Sequence, residues 1–197
     1  CMKKIFTPFL FIVATLLLCS TTVKGEGGTT DDDGLSWDLT NGVLTISGTG
    51  AMRDYATSTF GGGKKSPWYA SRANVTKIIV NEGVTALGTY AFYGSINCTE
   101  ISLPSTLTDI KTYALANCST VTKITCKAST PPTLPAPTAA GKYQCFQNIP
   151  TDCPIYVPKQ SVNTYKATAG WSTFTNYQEL EEGAEGVIDI MVNVKDS

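Results

Sequence analysis

Three short runs along the chain alternate apolar and polar residues at a fixed spacing of 23 positions. The first is Val75-Thr76-Lys77-Ile78-Ile79-Val80, the second Cys98-Thr99-Glu100-Ile101-Ser102-Leu103, and the third Val121-Thr122-Lys123-Ile124-Thr125-Cys126. A strand repeats its facing every two residues, so Ile78 and Val80, and their equivalents one period on, face one side. The segments that follow repeat as well: Ala86-Leu87-Gly88-Thr89-Tyr90-Ala91-Phe92 matches Asp109-Ile110-Lys111-Thr112-Tyr113-Ala114-Leu115. A constant period of this length predicts stacked coils, each too small to bury its own apolar face, and therefore a mainly β repeat solenoid.

The pattern persists across one interruption. Phe92 lies nine residues before Ile101, Leu115 nine before Ile124, and Phe146 nine before Ile155. The third coil is thus the same unit carrying an eight-residue insertion within residues 129–141, STPPTLPAPTAAG, whose Pro and Ala content predicts a surface loop. A fourth strand follows at Cys153-Pro154-Ile155-Tyr156-Val157. Two inward ladders result: Ile78, Ile101, Ile124, Ile155 and Val80, Leu103, Cys126, Val157. The coils occupy residues 75–157.

The flanks predict caps. Residues 36–47, SWDLTNGVLTIS, form a β-hairpin in which Asn41-Gly42 supplies a type I′ turn, Leu39 pairs with Leu44 and Trp37 with Ile46. With Ser66-Pro67 expected to open a short helix, residues 35–74 form an N-terminal cap. Residues 158–176 form the other cap, with Val162, Tyr165, Trp171 and Phe174 placed to close the array. Residues 26–34 are expected to be a flexible leader. Residues 177–197 are expected to be an acidic linker followed by a strand at 186–194.

Residues 1–25 have the pattern of an export signal: Met2-Lys3-Lys4, then an apolar stretch too short to span a membrane. Two processing schemes fit. Val23 and Gly25 suit cleavage after Gly25, whereas Leu16-Leu17-Leu18-Cys19 resembles a lipobox, which would leave Cys19 as a lipidated N-terminus. About 170 residues remain, enough for one continuous core.

Composition narrows the chemistry. With 15 basic and 16 acidic residues and no basic patch, the chain lacks the charge of a nucleic-acid binder. It has no histidine, which removes histidine-based acid–base and nucleophilic catalysis and most catalytic zinc sites. Gly61-Gly62-Gly63-Lys64-Lys65 lacks the spacing of a phosphate-binding loop, and Asp31-Asp32-Asp33-Gly34 lacks the closing Glu of a calcium loop. No cofactor or metal is expected. Cys98, Cys118, Cys126, Cys145 and Cys153 share no phase between neighbouring coils, so buried free thiols are expected, with Cys145–Cys153 the one pair close enough for a local bridge. Asn74, Asn97 and Asn117 sit in N-x-S/T sequons.

The cap segments GLSWDLTNGVLTISGTGAM and SPWY, the coil VTALGTYAFYG, the run CKASTPPTL and the closing CPIYVPKQSVNTYKATAGWSTF together resemble the BspA-type leucine-rich repeats of secreted bacterial proteins, many of them from Bacteroidetes. The resemblance covers residues 35–176. It implies a short right-handed leucine-rich-repeat solenoid with a parallel sheet along one side, export and surface display. For some members it implies adhesion to host matrix proteins or other bacteria. It carries over no catalytic residue.

The outward side of the strands is the expected binding face. Lys77, Glu100 and Lys123 form one column, and Ile79, Ser102, Thr125 and Tyr156 the next, with Ile79 and Tyr156 expected to be exposed. Charges of alternating sign on neighbouring strands also serve simply to offset one another. The leading expectation is a non-catalytic surface or secreted protein that contacts an extracellular protein or glycan, with no nucleic acid partner and a membrane link only through a lipid anchor. The alternative is a structural solenoid module of a larger cell-envelope assembly. A carboxylate-dependent glycosidase is the remaining enzyme reading.

Overall fold

The computed structural model describes residues 25–30 and 33–180. The expected export segment with Cys19, Asp31-Asp32 and the expected strand at 186–194 lie outside them. In chain order the strands are β1 (Glu26–Thr29), β2 (Leu35–Thr40), β3 (Val43–Gly48), β4 (Gly50–Ala51), β5 (Lys77–Val80), β6 (Val84–Leu87), β7 (Glu100–Leu103), β8 (Asp109–Ile110), β9 (Lys123–Cys126), β10 (Ile155–Pro158) and β11 (Tyr177–Leu180). Among the described residues one α-helix, α1 (Val162–Ala167), is joined by short 3₁₀ turns. Among the described residues an eight-stranded sheet runs β1-β2-β3-β5-β7-β9-β10-β11, and a three-stranded sheet runs β4-β6-β8. The chain is a repeat solenoid with parallel strands stacked along one side.

The hairpin forms as its sequence demands. Asn41 and Gly42 take φ values of 52° and 80°, the left-handed pair that a type I′ turn needs. A Cβ on Gly42 would lie 2.6 Å from the Thr76 hydroxyl, so the close approach of the first coil also selects glycine. Leu39 pairs with Leu44 and Trp37 with Ile46. The second hairpin strand then joins β5 in parallel, Leu44 beside Ile78 and Ile46 beside Val80. The cap therefore begins the large sheet and continues its inward ladders.

From β5 onward the 23-residue spacing becomes contact. Ile78 pairs with Ile101, Ile101 with Ile124 and Ile124 with Ile155. These four, with Val80, Leu103, Cys126 and Val157, are at most 3% exposed. Corners between coils are fastened by threonines: the Thr99 amide donates to the Thr76 carbonyl at 2.8 Å and the Thr122 amide to the Thr99 carbonyl at 2.9 Å. The hydroxyls of Thr99 and Thr122 reach the same carbonyls, each at 3.2 Å. On the far side of the coils, Phe92 N donates to Ala114 O at 2.8 Å and Asn117 N to Gln147 O at 2.8 Å. Each coil thus satisfies its buried backbone groups through its neighbours. The insertion is a loop, as its composition predicts. It is pinned by a bridge from Thr133 to Asp109 that extends the small sheet.

Both ends are closed by aromatic residues. Trp68 is buried, stacked on Phe92 at 5.6 Å between ring centroids, with Tyr55 and Trp37 edge-on at 5.7 and 6.1 Å; its indole N–H donates to Ala91 O at 2.8 Å. At the other end Tyr165, Trp171 and Phe174 are buried and Val162 packs against them half-buried. Trp171 Nε1 donates to Pro132 O at 2.9 Å and Tyr165 OH to Ala128 O at 2.8 Å, so the cap grips the insertion and the end of β9. In β11 the inward ladder turns polar: Glu179, in register with Val157, is exposed and pairs with Lys159 at 3.0 Å.

Three expectations are corrected. Residues 26–29, expected in a flexible leader, pair antiparallel with β2, because the hairpin otherwise leaves a free strand edge beside them. Residues 177–180, expected in a linker, form β11 and pair in parallel with β10 for the same reason. Ser66-Pro67 opens hydrogen-bonded turns and the 3₁₀ segment Arg72–Asn74 instead of an α-helix; Tyr69 N reaches Ser66 O at 2.9 Å, and β5 begins too soon for longer turns. The five cysteines are free and buried, which leaves Cys145 and Cys153 unbridged. Burial pushes the Cys126 and Cys98 thiols up to about 11 each.

Ile101 sits at the centre of its ladder with no exposed surface. Ile101→Ala is expected to cost about 2–5 kcal/mol of unfolding free energy, measured by urea denaturation.

Candidate binding face

The outward columns follow from the pairing that stacks the core. Lys77 lies beside Glu100 and Glu100 beside Lys123. Ile79 lies beside Ser102, Ser102 beside Thr125, and Thr125 beside Tyr156. The structure therefore brings all seven expected face residues onto adjoining strands.

Glu100 is the centre of the charged column. Its Oε2 lies 3.0 Å from Lys77 Nζ and its Oε1 3.2 Å from Lys123 Nζ. Burial pushes the carboxyl pKa up, but hydrogen bonds and charge from both lysines outweigh it and hold Glu100 below the usual carboxylate value. Lys123 also sits over the Tyr156 ring, 5.2 Å from its centroid, in cation–π geometry. Contacts therefore run unbroken from Lys77 through Glu100 and Lys123 to Tyr156, across four coils. Such a chain orders long side chains that would otherwise sample many rotamers, which lowers the entropy lost when a partner docks.

Exposure differs from the expectation for three residues. Ile79 and Tyr156 are half-buried, and Thr125 is buried at 8% exposure. Strands about 4.8 Å apart let each side chain cover its neighbour, and Thr125 is short and flanked by Tyr156. The face also extends beyond the expected columns. Val43 lies beside Lys77, Thr45 beside Ile79, and Gln178 beside Tyr156. Val43 and Thr45 were readable from the hairpin alternation, but their place in this sheet depends on a parallel pairing that hairpins do not specify.

The other shifted carboxylates serve the scaffold. Glu82 accepts from the Ser105 amide at 3.0 and 3.1 Å, and Asp54 from the Thr89 amide at 2.7 Å while facing Lys111 at 3.5 Å. Asp109 accepts from the hydroxyls of Thr133 and Thr108. Those two hydroxyls hold Asp109 low. Glu82 and Asp54 also end low, because hydrogen bonds outweigh the upward push of burial. A glycosidase general acid needs a shift the other way. Among the described residues no group of three or more His, Cys, Asp and Glu is placed to hold a metal ion, and no helix is long and apolar enough to cross a membrane.

Residues 66–169 match the family described as "BspA type Leucine rich repeat region (6 copies)". The chain belongs to this family. BspA-type chains are repeat proteins that generally serve protein interaction or adhesion rather than catalysis. Among solved structures, this BspA-type chain is similar to a leucine-rich repeat protein from Eubacterium ventriosum, at 25% sequence identity and a TM-score of 0.45. The match covers 78% of this chain and 40% of that one, so the chain spans well under half of that protein's length. No curated protein matches the chain.

The low pKa of Glu100 has a pH consequence. Because the folded value is depressed, the stabilisation is complete above the unfolded value of 4.5 and is lost as pH falls through the folded one. Two partly exposed pairs contribute about 0.2–1 kcal/mol each. Urea titrations at pH 7 and pH 3 should show Glu100→Gln less stable than the parent at pH 7, with the gap narrowing at pH 3. A gap of equal size at both pH values would show that the pairs contribute nothing.

Proposed function

We propose that the chain is a non-catalytic surface or secreted binding protein whose outward strand face contacts an extracellular protein or glycan. The observation that carries this reading is the unbroken run from Lys77 to Tyr156, which presents ordered charge beside a half-buried aromatic ring. Aromatic rings and mixed polar groups on a rigid scaffold are what macromolecular interfaces use. The surface or secreted location is supported by the export pattern of residues 1–25 and by the family, whose members are typically displayed or released.

A second reading is a structural module of a larger cell-envelope assembly. It is favoured by β11, which pairs on one side with β10 and offers its other edge unpaired among the described residues. A free parallel edge is a site where a further coil could stack.

Capture onto immobilised protein separates the two. The probes are host matrix proteins, mucin glycans and envelope extract of the producing cell. The binding reading expects a matrix protein or mucin glycan to be retained. Tyr156→Ala should weaken that retention by about tenfold or more while keeping the parent's folded circular dichroism spectrum at the assay temperature. Retention of envelope components alone, unaffected by Tyr156→Ala, would favour the module. Retention of nothing would sink the binding reading.

A further inference from the structure

A cleft of about 440 Å³ opens away from the strand face, between the insertion, the last full coil and the C-terminal cap. Its size falls within the range of small-molecule sites, about 300–1,000 Å³. Its walls are contributed by two segments, residues 138–151, which run from the end of the insertion into the coil, and residues 173–174 of the cap.

The apolar part is rigid. Phe146 packs edge-on against Phe174 at 5.1 Å and against Trp171 at 5.0 Å. Tyr143 rests on Gly170, where an added Cβ would come within 2.8 Å of its ring, and Gly170 has a φ of 84°. The lip is a closed turn: Thr138 N donates to Lys142 O at 2.9 Å, Gly141 N to Thr138 O at 2.7 Å, and Lys142 N to Thr138 Oγ1 at 3.2 Å. The site is therefore largely formed before any ligand arrives, which reduces the ordering cost of binding.

The polar part is made of amides and hydroxyls. Gln147, Asn148 and Thr151 are exposed and line the cleft. Asn148 is oriented by its Nδ2, which donates to Asn117 Oδ1 at 2.6 Å. Gln144 is oriented by donation to the Tyr113 hydroxyl. The side chains of Gln147 and Thr151 make no hydrogen bond among the described residues. Among the described residues the lining holds no carboxylate, and Lys142 is its one charged residue.

We infer that this cleft is a saccharide-binding site. Amides and hydroxyls both donate and accept, and they match a ligand whose own groups do both. Half-buried Tyr143 supplies the accessible ring that suits the apolar C–H face of a sugar, over a floor formed by Phe146 and Ile149, each 6% exposed. A peptide would instead need a strand edge to pair its backbone or a helix-width apolar groove, and among the described residues no strand lines this cleft. The inference goes beyond the strand-face reading and does not depend on it.

The test uses the intact chain on a glycan array, followed by calorimetric titration with the soluble form of the saccharide it selects. Gln147→Ala and Thr151→Val change exposed side chains, so both variants should keep the parent's unfolding midpoint. Each is expected to weaken saccharide binding by about tenfold or more. The control is Phe60→Ala, 95% exposed in the N-terminal cap and away from both the cleft and the strand face, which should leave it within about twofold; Tyr156→Ala is run beside it to report on the strand face. No saccharide retained on the array overturns the inference. So does a saccharide bound equally well by Gln147→Ala and Thr151→Val. If Tyr156→Ala alone abolishes binding, the sugar belongs to the strand face; the cleft assignment then fails while the strand-face reading stands.

Discussion

Everything in this molecule depends on neighbouring coils staying in phase. A single coil contributes one four-residue strand and a few apolar side chains, far too little to offset its own ordering entropy. Stability appears only when Ile78, Ile101, Ile124 and Ile155 stack and the Thr76, Thr99 and Thr122 corners hand hydrogen bonds from one coil to the next. A slip by one residue would turn each inward isoleucine to solvent and bring Lys77, Glu100 and Lys123 inside. The same phase lock places those charges in a column, so the candidate binding face is a by-product of core packing and needs no separate device to assemble it.

An array held together by neighbours has two ends without neighbours, and the chain treats them differently. At the start, the hairpin supplies an antiparallel strand pair whose second member already runs in the direction of the coils, and Trp68 fills the space behind it. At the finish, α1 and the Trp171 turn lay three aromatic rings over the last coil, and β11 changes its inward-phase residue from apolar to Glu179. A charge there replaces the Val80, Leu103, Cys126 and Val157 of the preceding strands. At β11 a single register position therefore changes from an apolar to a charged side chain.

Most of the scaffold was legible because it rests on local rules: alternation for the strands, Asn41-Gly42 for the turn, and a constant spacing for the stack. What escaped was decided by non-local pairing. Residues 26–29 and 177–180 carry polar, Gly- or Glu-bearing sequences with no apolar alternation, and they become strands only because β2 and β10 present edges to them. The face residues were legible as columns, since parity alone assigns them outward. Their half-burial was not, because it depends on how Lys123 lies over Tyr156 and how neighbours shade Thr125. The cleft was invisible for the same reason: Phe146 holds a repeat position, but the insertion residues and Phe174 that complete the walls do not.

The insertion shows how a repeat tolerates addition without losing phase. It falls after β9 and before the turn that carries Phe146, on the side of the coil where the chain makes loops rather than strands of the large sheet. Strand β10 can therefore return to register with β9 whatever the length of the excursion, at an entropic cost that grows only slowly with loop length. The excursion is then put to structural use. Pro132 supplies the carbonyl that the Trp171 indole needs, Leu134 packs on the core, and the Thr138–Lys142 turn forms the lip beside Tyr143. Coils bearing no insertion have no such lip, so a ligand held there would be recognised by the one coil that departs from the repeat. The regular coils keep the array rigid, and the irregular one supplies a concave surface of its own.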